Sequence, residues 1–103
     1  MKMKLEITRE NTVADISFSG GMYFDDVAPA REQLLELVDD GATILRMDFS
    51  NLDYIDSSGL GVLLAIHKRC LQRGGKMTIT GLKGMVDELF KLTRLDLVFM
   101  VRQ

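Results

Sequence analysis

The residues best suited to chemistry in this chain are consecutive: Asp56-Ser57-Ser58-Gly59-Leu60-Gly61. A carboxylate and two hydroxyls at the head of an apolar run suit a helix N-terminus, where short oxygen-bearing side chains accept bonds from the unsatisfied first N–H groups. Ser57 fits the N-cap and Ser58 the first turn. A phosphate-cradling loop is a weaker reading, because the segment has neither GxxxxGK[ST] nor GxGxxG and no lysine. Gly59 and Gly61 need a reason, since each costs about 1 kcal/mol against alanine inside a helix. A missing side chain lets another backbone or a large partner approach closely. The next residues, Leu60, Val62, Leu63, Leu64 and Ile66, are apolar nearly all round. One side of this helix must pack inward, and the other is a candidate contact patch.

Other chemistry-bearing residues are sparse. With one histidine and one cysteine among 103 residues, the common zinc sites and any internal disulfide are excluded. A nucleophile–histidine enzyme would have to use His67, which has no accompanying nucleophile pattern. Cys70 reads as a small buried residue and the seven methionines as core filling. Asp48, Asp53 and Asp56 lack the convergence of a magnesium site, so no metal or cofactor is expected. Lys68, Arg69 and Arg73 suit the negative end of a helix dipole.

Those residues must be positioned by a single domain, as the length requires. Residues 2–8 and 13–19 alternate apolar and polar and read as an antiparallel hairpin, ended by Gly20-Gly21. Asp25 to Asp40 is helical by the spacing of Val27, Ala30, Leu34, Leu37 and Val38, with Asp25 or Asp26 as cap, Pro29 in the first turn and Gly41 as stop. Asp39 and Asp40 fall at the negative helix end, an unfavourable place that local sequence does not explain. Residues 42–49 form a strand, Ser57 to Arg73 a helix ended by Gly74-Gly75, and Lys76 to Thr80 a strand. Lys83 to Thr93 forms a helix with Met85, Leu89 and Leu92 on one stripe, and Leu97 to Val101 a last strand. The order ββαβαβαβ predicts an α/β domain with a mixed, mostly parallel sheet of about five strands. Polar faces on three strands place the helices mainly on one side.

A net charge of −2 argues against nucleic acid as the main partner. No segment reaches the roughly 18 apolar residues of a membrane span, and the N-terminus lacks a signal-peptide run. A cytoplasmic location with Cys70 reduced is the expectation.

The segment around Asp56 resembles the STAS domain, and especially bacterial anti-sigma factor antagonists of the sporulation and stress-response type. The resemblance rests on Asp48-Phe49-Ser50, Leu52-x-Tyr54-Ile55, Asp56 to Val62, Gly74-Gly75-Lys76 and Val86-x-x-Leu89-Phe90-x-Leu92-Thr93-x-Leu95. It covers essentially the whole chain, implying one STAS domain over 1–103. It also implies a protein that is acted upon and is not itself an enzyme. The first serine after the aspartate, here Ser57, would be phosphorylated by an anti-sigma factor that is also a serine kinase, with Ser58 the second choice. The unphosphorylated form would bind that kinase and free a sigma factor, phosphorylation would break the complex, and a serine phosphatase would reset it. Asp56, Ser57, Ser58, Gly59, Leu60, Gly61 and Tyr23 would form the partner-binding set. Self-association would be at most a weak homodimer. Two other roles seen in STAS proteins stay open: a subunit of a lipid-transport ABC system, and a nucleotide-binding domain. One departure stands out. Where the family often has Gly-Glu-hydrophobic-Asp, this chain has Gly20-Gly21-Met22-Tyr23, which should make the rim of the site less negative and more apolar.

Overall fold

The computed structural model describes residues 2–102. Five strands form one sheet in the order β1-β2-β3-β4-β5: β1 (Lys4–Glu10), β2 (Val13–Met22), β3 (Ile44–Ile55), β4 (Lys76–Thr80) and β5 (Met100–Arg102). Three helices connect the later strands: α1 (Val27–Asp39), α2 (Ser57–Gln72) and α3 (Gly84–Leu92). β1 and β2 pair antiparallel, and every other neighbouring pair is parallel, as helical crossovers require.

The sheet has one covered and one open face. Ala14, Ile16, Phe18, Leu45, Met47, Met77 and Ile79 are buried on the helix side, against Leu34, Val38, Leu63, Ile66 and Phe90. The opposite face carries Glu6, Thr8, Asp15, Ser17, Arg46, Asp48, Thr78 and Thr80 around a shallow open depression. Helices on one side follow from this division, as the strand patterns predict.

Two strands are longer than their sequences suggest, for the same reason. β2 does not stop at Gly20-Gly21 but continues to Met22, and β3 runs past Phe49 to Ile55. Their pairing shifts register between Ser17 and Ser19 and again between Gly20 and Gly21. Each time β3 contributes the extra residue, since Ser17 faces Asp48 but Ser19 faces Asn51, and Gly20 faces Leu52 but Gly21 faces Tyr54. Such bulges break the two-residue side-chain period. Phe49, Leu52 and Ile55 therefore all turn inward at a spacing of three. At the first bulge the Asp48 carboxylate accepts the Ser50 N–H at 2.9 Å.

The helix ends hold most of the other differences. A 3-10 turn, Phe24–Asp26, precedes α1. Asp26 caps that turn, accepting the Tyr23 N–H at 2.9 Å, and makes no side-chain cap on α1. α1 does stop at Gly41, where φ is +109° and bonds from Gly41 to Val38 and from Ala42 to Leu37 close the end. The two aspartates there have partners from afar: Asp39 meets Arg69 at 2.8 Å and Arg73 at 3.3 Å, and Asp40 meets Arg9 at 2.8 Å. Arg69 and Arg73 thus bridge α2 to α1 as well as sitting near the end of their own helix.

Of the expected stripe of Met85, Leu89 and Leu92, only Leu89 packs against the core; α3 buries Val86 and Phe90 instead, and Leu92 is 81% exposed. Phe90 fixes that rotation by ring contacts with Phe49 and Phe99. The final strand begins at Met100, because Leu95–Leu97 closes into a 3-10 turn behind Arg94, whose φ is +62°. His67 packs on Phe99 with ring centres 5.1 Å apart, and burial pushes its pKa down. Cys70 is fully buried.

Candidate functional site

α2 springs directly from the carboxyl end of β3, with Asp56 the only residue between them. Open parallel sheets present their ligands at this edge. Asp56 is the N-cap, in an extended conformation, and its Oδ1 accepts the Gly59 N–H at 3.1 Å and the Ser58 hydroxyl at 2.5 Å. These bonds hold the carboxyl below the usual carboxylate range, the Ser58 hydroxyl first and the Gly59 N–H second.

Capping therefore falls to Asp56, and Ser57 is the first helical residue. A carboxylate is the stronger acceptor beside the positive end of a helix dipole. The two serines are not equivalent. Ser58 is half-buried with its hydroxyl committed to Asp56. Ser57 is exposed, and among the described residues no side-chain hydrogen bond engages it.

The two glycines also differ. A Cβ on Gly59 would lie 2.7 Å from both Ile55 Cγ1 and Met22 Sδ, so the first turn of α2 seats directly on the ends of β2 and β3. Gly61 is exposed with open space above it. Leu60 is only 7% exposed. It belongs to the core rather than to a contact surface.

Tyr23 and Gly21 are one structural change. A Cβ on Gly21 would sit 2.5 Å from Tyr23 Cε2, so the loss of a side chain at 21 makes room for the ring from 23. That ring stacks on Tyr54 with centres 4.6 Å apart and is 48% exposed. Phe24 beside it is 74% exposed. The rim is aromatic where the sequence predicts it more apolar and less negative, yet it keeps acids, because Asp25 and Asp26 follow at once in the 3-10 turn that packs against α2. The sequence marks Tyr54 only as one carrier of the resemblance, not as part of the site, and does not mark Phe24. The signal for Tyr54 was its register opposite Gly21, which the two bulges hide.

No cluster of ligating side chains that could hold a metal occurs among the described residues. His67 lies on α2 ten residues beyond Ser57, packed on Phe99, away from this rim.

The fold and this edge define a class: small two-layer α/β domains with a capped helix end exposed at the carboxyl edge of the sheet. The chain belongs to the STAS domain family, whose model matches residues 4–103. It is 32% identical over 98 residues to an anti-sigma-B factor antagonist of Listeria monocytogenes, an alignment covering 93% of this chain and 85% of that protein. Among solved structures it is similar to an anti-sigma factor antagonist from Mycobacterium paratuberculosis, with TM-score 0.82 and 24% identity over 97% of this chain and 85% of that one. It is also similar to the Bacillus cell fate determinant SpoIIAA in the phosphorylated form, with TM-score 0.76 and 20% identity over 99% of this chain and 92% of that one.

Proposed function

We propose that this chain is an anti-sigma factor antagonist, a single STAS domain over 1–103 that is switched by phosphorylation of Ser57. Its unphosphorylated form binds an anti-sigma factor that is also a serine kinase, and so releases a sigma factor. Phosphorylation ends binding, and a serine phosphatase restores it. The chemistry is done to this protein by its partners. Sigma factors act in the cytoplasm, so the reading places the protein there; no helix among the described residues is long and apolar enough to cross a membrane.

One observation carries the reading: the division of labour at the head of α2. Asp56 and Ser58 hold the turn, which leaves Ser57 exposed with its hydroxyl unengaged. A phosphate there adds a charge of about −1.5 to −2 at a helix N-terminus, which favours anions. The fold keeps its shape, and the added charge and bulk stand where the partner would close. Asp56, Ser57 and Gly61, together with Tyr23, form the outward contact set; Ser58 and Gly59 shape it from within.

The test is reconstitution with the organism's serine-kinase anti-sigma factor and ATP, read by mass spectrometry. One phosphoryl group should map to Ser57, with Ser57→Ala unlabelled and Ser58→Ala still labelled. Full-strength binding of the kinase by Ser57→Asp would overturn the reading.

A further inference from the structure

Gly59 and Gly61 answer different needs. Gly59 faces inward, where a Cβ would collide with Ile55 and Met22. Gly61 faces outward, with nothing but its chain neighbours and its own helix backbone within 4 Å of where its Cβ would lie, and its φ is not positive. The fold gains nothing from the missing side chain, and a glycine destabilises a helix interior relative to alanine.

Its position supplies the reason. Ser57, Gly61, Leu64, Lys68 and Leu71 are spaced by four, three, four and three, so they form one stripe along α2 that winds by about 20° per heptad. All five are exposed. The stripe begins at Ser57 and runs into a shallow, mainly apolar depression lined by Leu64, His67, Lys68, Leu71, Gln72 and Val98. Leu71 is 54% and Val98 49% exposed. At the helical rise, Leu64 stands about 10 Å and Leu71 about 21 Å beyond Ser57 along the axis.

We propose that the surface of the anti-sigma factor that meets Ser57 continues along α2 as an amphipathic helix. It crosses closest at Gly61, sets apolar side chains in the Leu64–Leu71–Val98 depression and brings an acidic residue to Lys68. This rests on the reading of Ser57 given above. The depression and the phosphorylation site share one helix face, so an occupant that reaches Ser57 lies over Gly61 as well. Two helices pack with axes about 8–10 Å apart, the short end of that range where the contact residues are small. Gly61 provides such a point midway between Ser57 and the depression, and Lys68 selects an acid among the residues that follow.

The test is calorimetric titration of the kinase that labels Ser57 into wild type, Gly61→Leu, Leu71→Asp and Ser57→Asp, with thermal melts of each. Leucine at 61 improves helix propensity and meets no neighbour, so its melting temperature stays level or rises. Gly61→Leu and Leu71→Asp should each weaken binding at least about tenfold, the effect of a residue at the centre of an interface. If both bind as wild type does while Ser57→Asp does not, docking ends at the helix N-terminus and the proposal is overturned. If Ser57→Asp alone binds as wild type does, the phosphorylation reading falls while the footprint stands. A wild-type dimer in sedimentation velocity that Leu71→Asp converts to monomer, with kinase affinity unchanged, would assign the depression to a second copy and overturn the proposal.

Discussion

At the residue scale, Asp56, Ser57 and Ser58 are three neighbours with three roles, and substitutions separate them. Ser58→Ala removes the strongest bond to the Asp56 carboxylate and should lower stability by about 1 kcal/mol, read from urea unfolding. It should leave the proposed phosphorylation of Ser57 in place. Asp56→Asn should cost a similar amount at neutral pH. The sign of its pH dependence follows from the depressed pKa of Asp56 in the folded state. The ionised cap stabilises the fold above the ordinary carboxylate range, and that stability is lost as pH falls through the lower folded value. Unfolding curves at pH 7 and pH 3 should therefore diverge for wild type and Asp56→Asn at pH 7 and draw together at pH 3. A constant gap between the two proteins would show that the carboxylate charge is not what caps α2.

At the scale of elements, most of the architecture was legible in the chain. Residues 13–18 alternate without interruption, and Ala14, Ile16 and Phe18 are all buried as that pattern requires. The spacing of Ala30, Leu34 and Val38 gave the inner face of α1 directly. Legibility failed where pairing between strands overrides local pattern. The inward turn of Phe49, Leu52 and Ile55 depends on two bulges against β2, and no window along β3 alone contains that information. The stripe of α3 failed for a related reason: Phe49 and Phe99, distant in sequence, decide which way Phe90 points. The candidate site was found as a segment, but its internal assignments were not, because capping by Asp56 or by Ser57 depends on backbone angles that both residue types allow. Glycines test these packing relations. Gly59→Ala should cost about 1–3 kcal/mol by overpacking Met22 and Ile55. Gly75→Ala should cost more, since its Cβ would stand 2.2 Å from the Thr43 carbonyl oxygen, a backbone atom in the entry to β3. Equal stability of the two variants in chemical denaturation would contradict the tight seat of β4 beside residue 43.

At the scale of the whole molecule, the proposed switch can act on the fold or on its surface, and the two are separable. α2 connects the alternatives, because Ser57 opens its outer face and Cys70 lies on its inner face, fully buried. The Cys70 thiol donates to the Thr43 carbonyl at 3.6 Å, and burial raises its pKa. Both effects disfavour the thiolate, the reactive form. Its neighbours Thr43 and Gly75 stand just before β3 and β4, and its side chain is part of the buried core, so a thiol reagent reaches Cys70 only when α2 parts from that end of the sheet. Labelling of the single cysteine is then a clock for opening of α2 in the intact protein. A phosphate at the N-terminus of α2 is electrostatically compatible with the helix, and Asp56 continues to cap Gly59 and Ser58 from its own side of the turn. Phosphorylated and unphosphorylated protein should therefore label at closely similar rates under native conditions, while their affinities for the kinase differ strongly. If phosphorylation instead loosened α2, Cys70 would label faster in step with the loss of binding. That result would relocate the switch from the surface of the helix to its packing on the sheet.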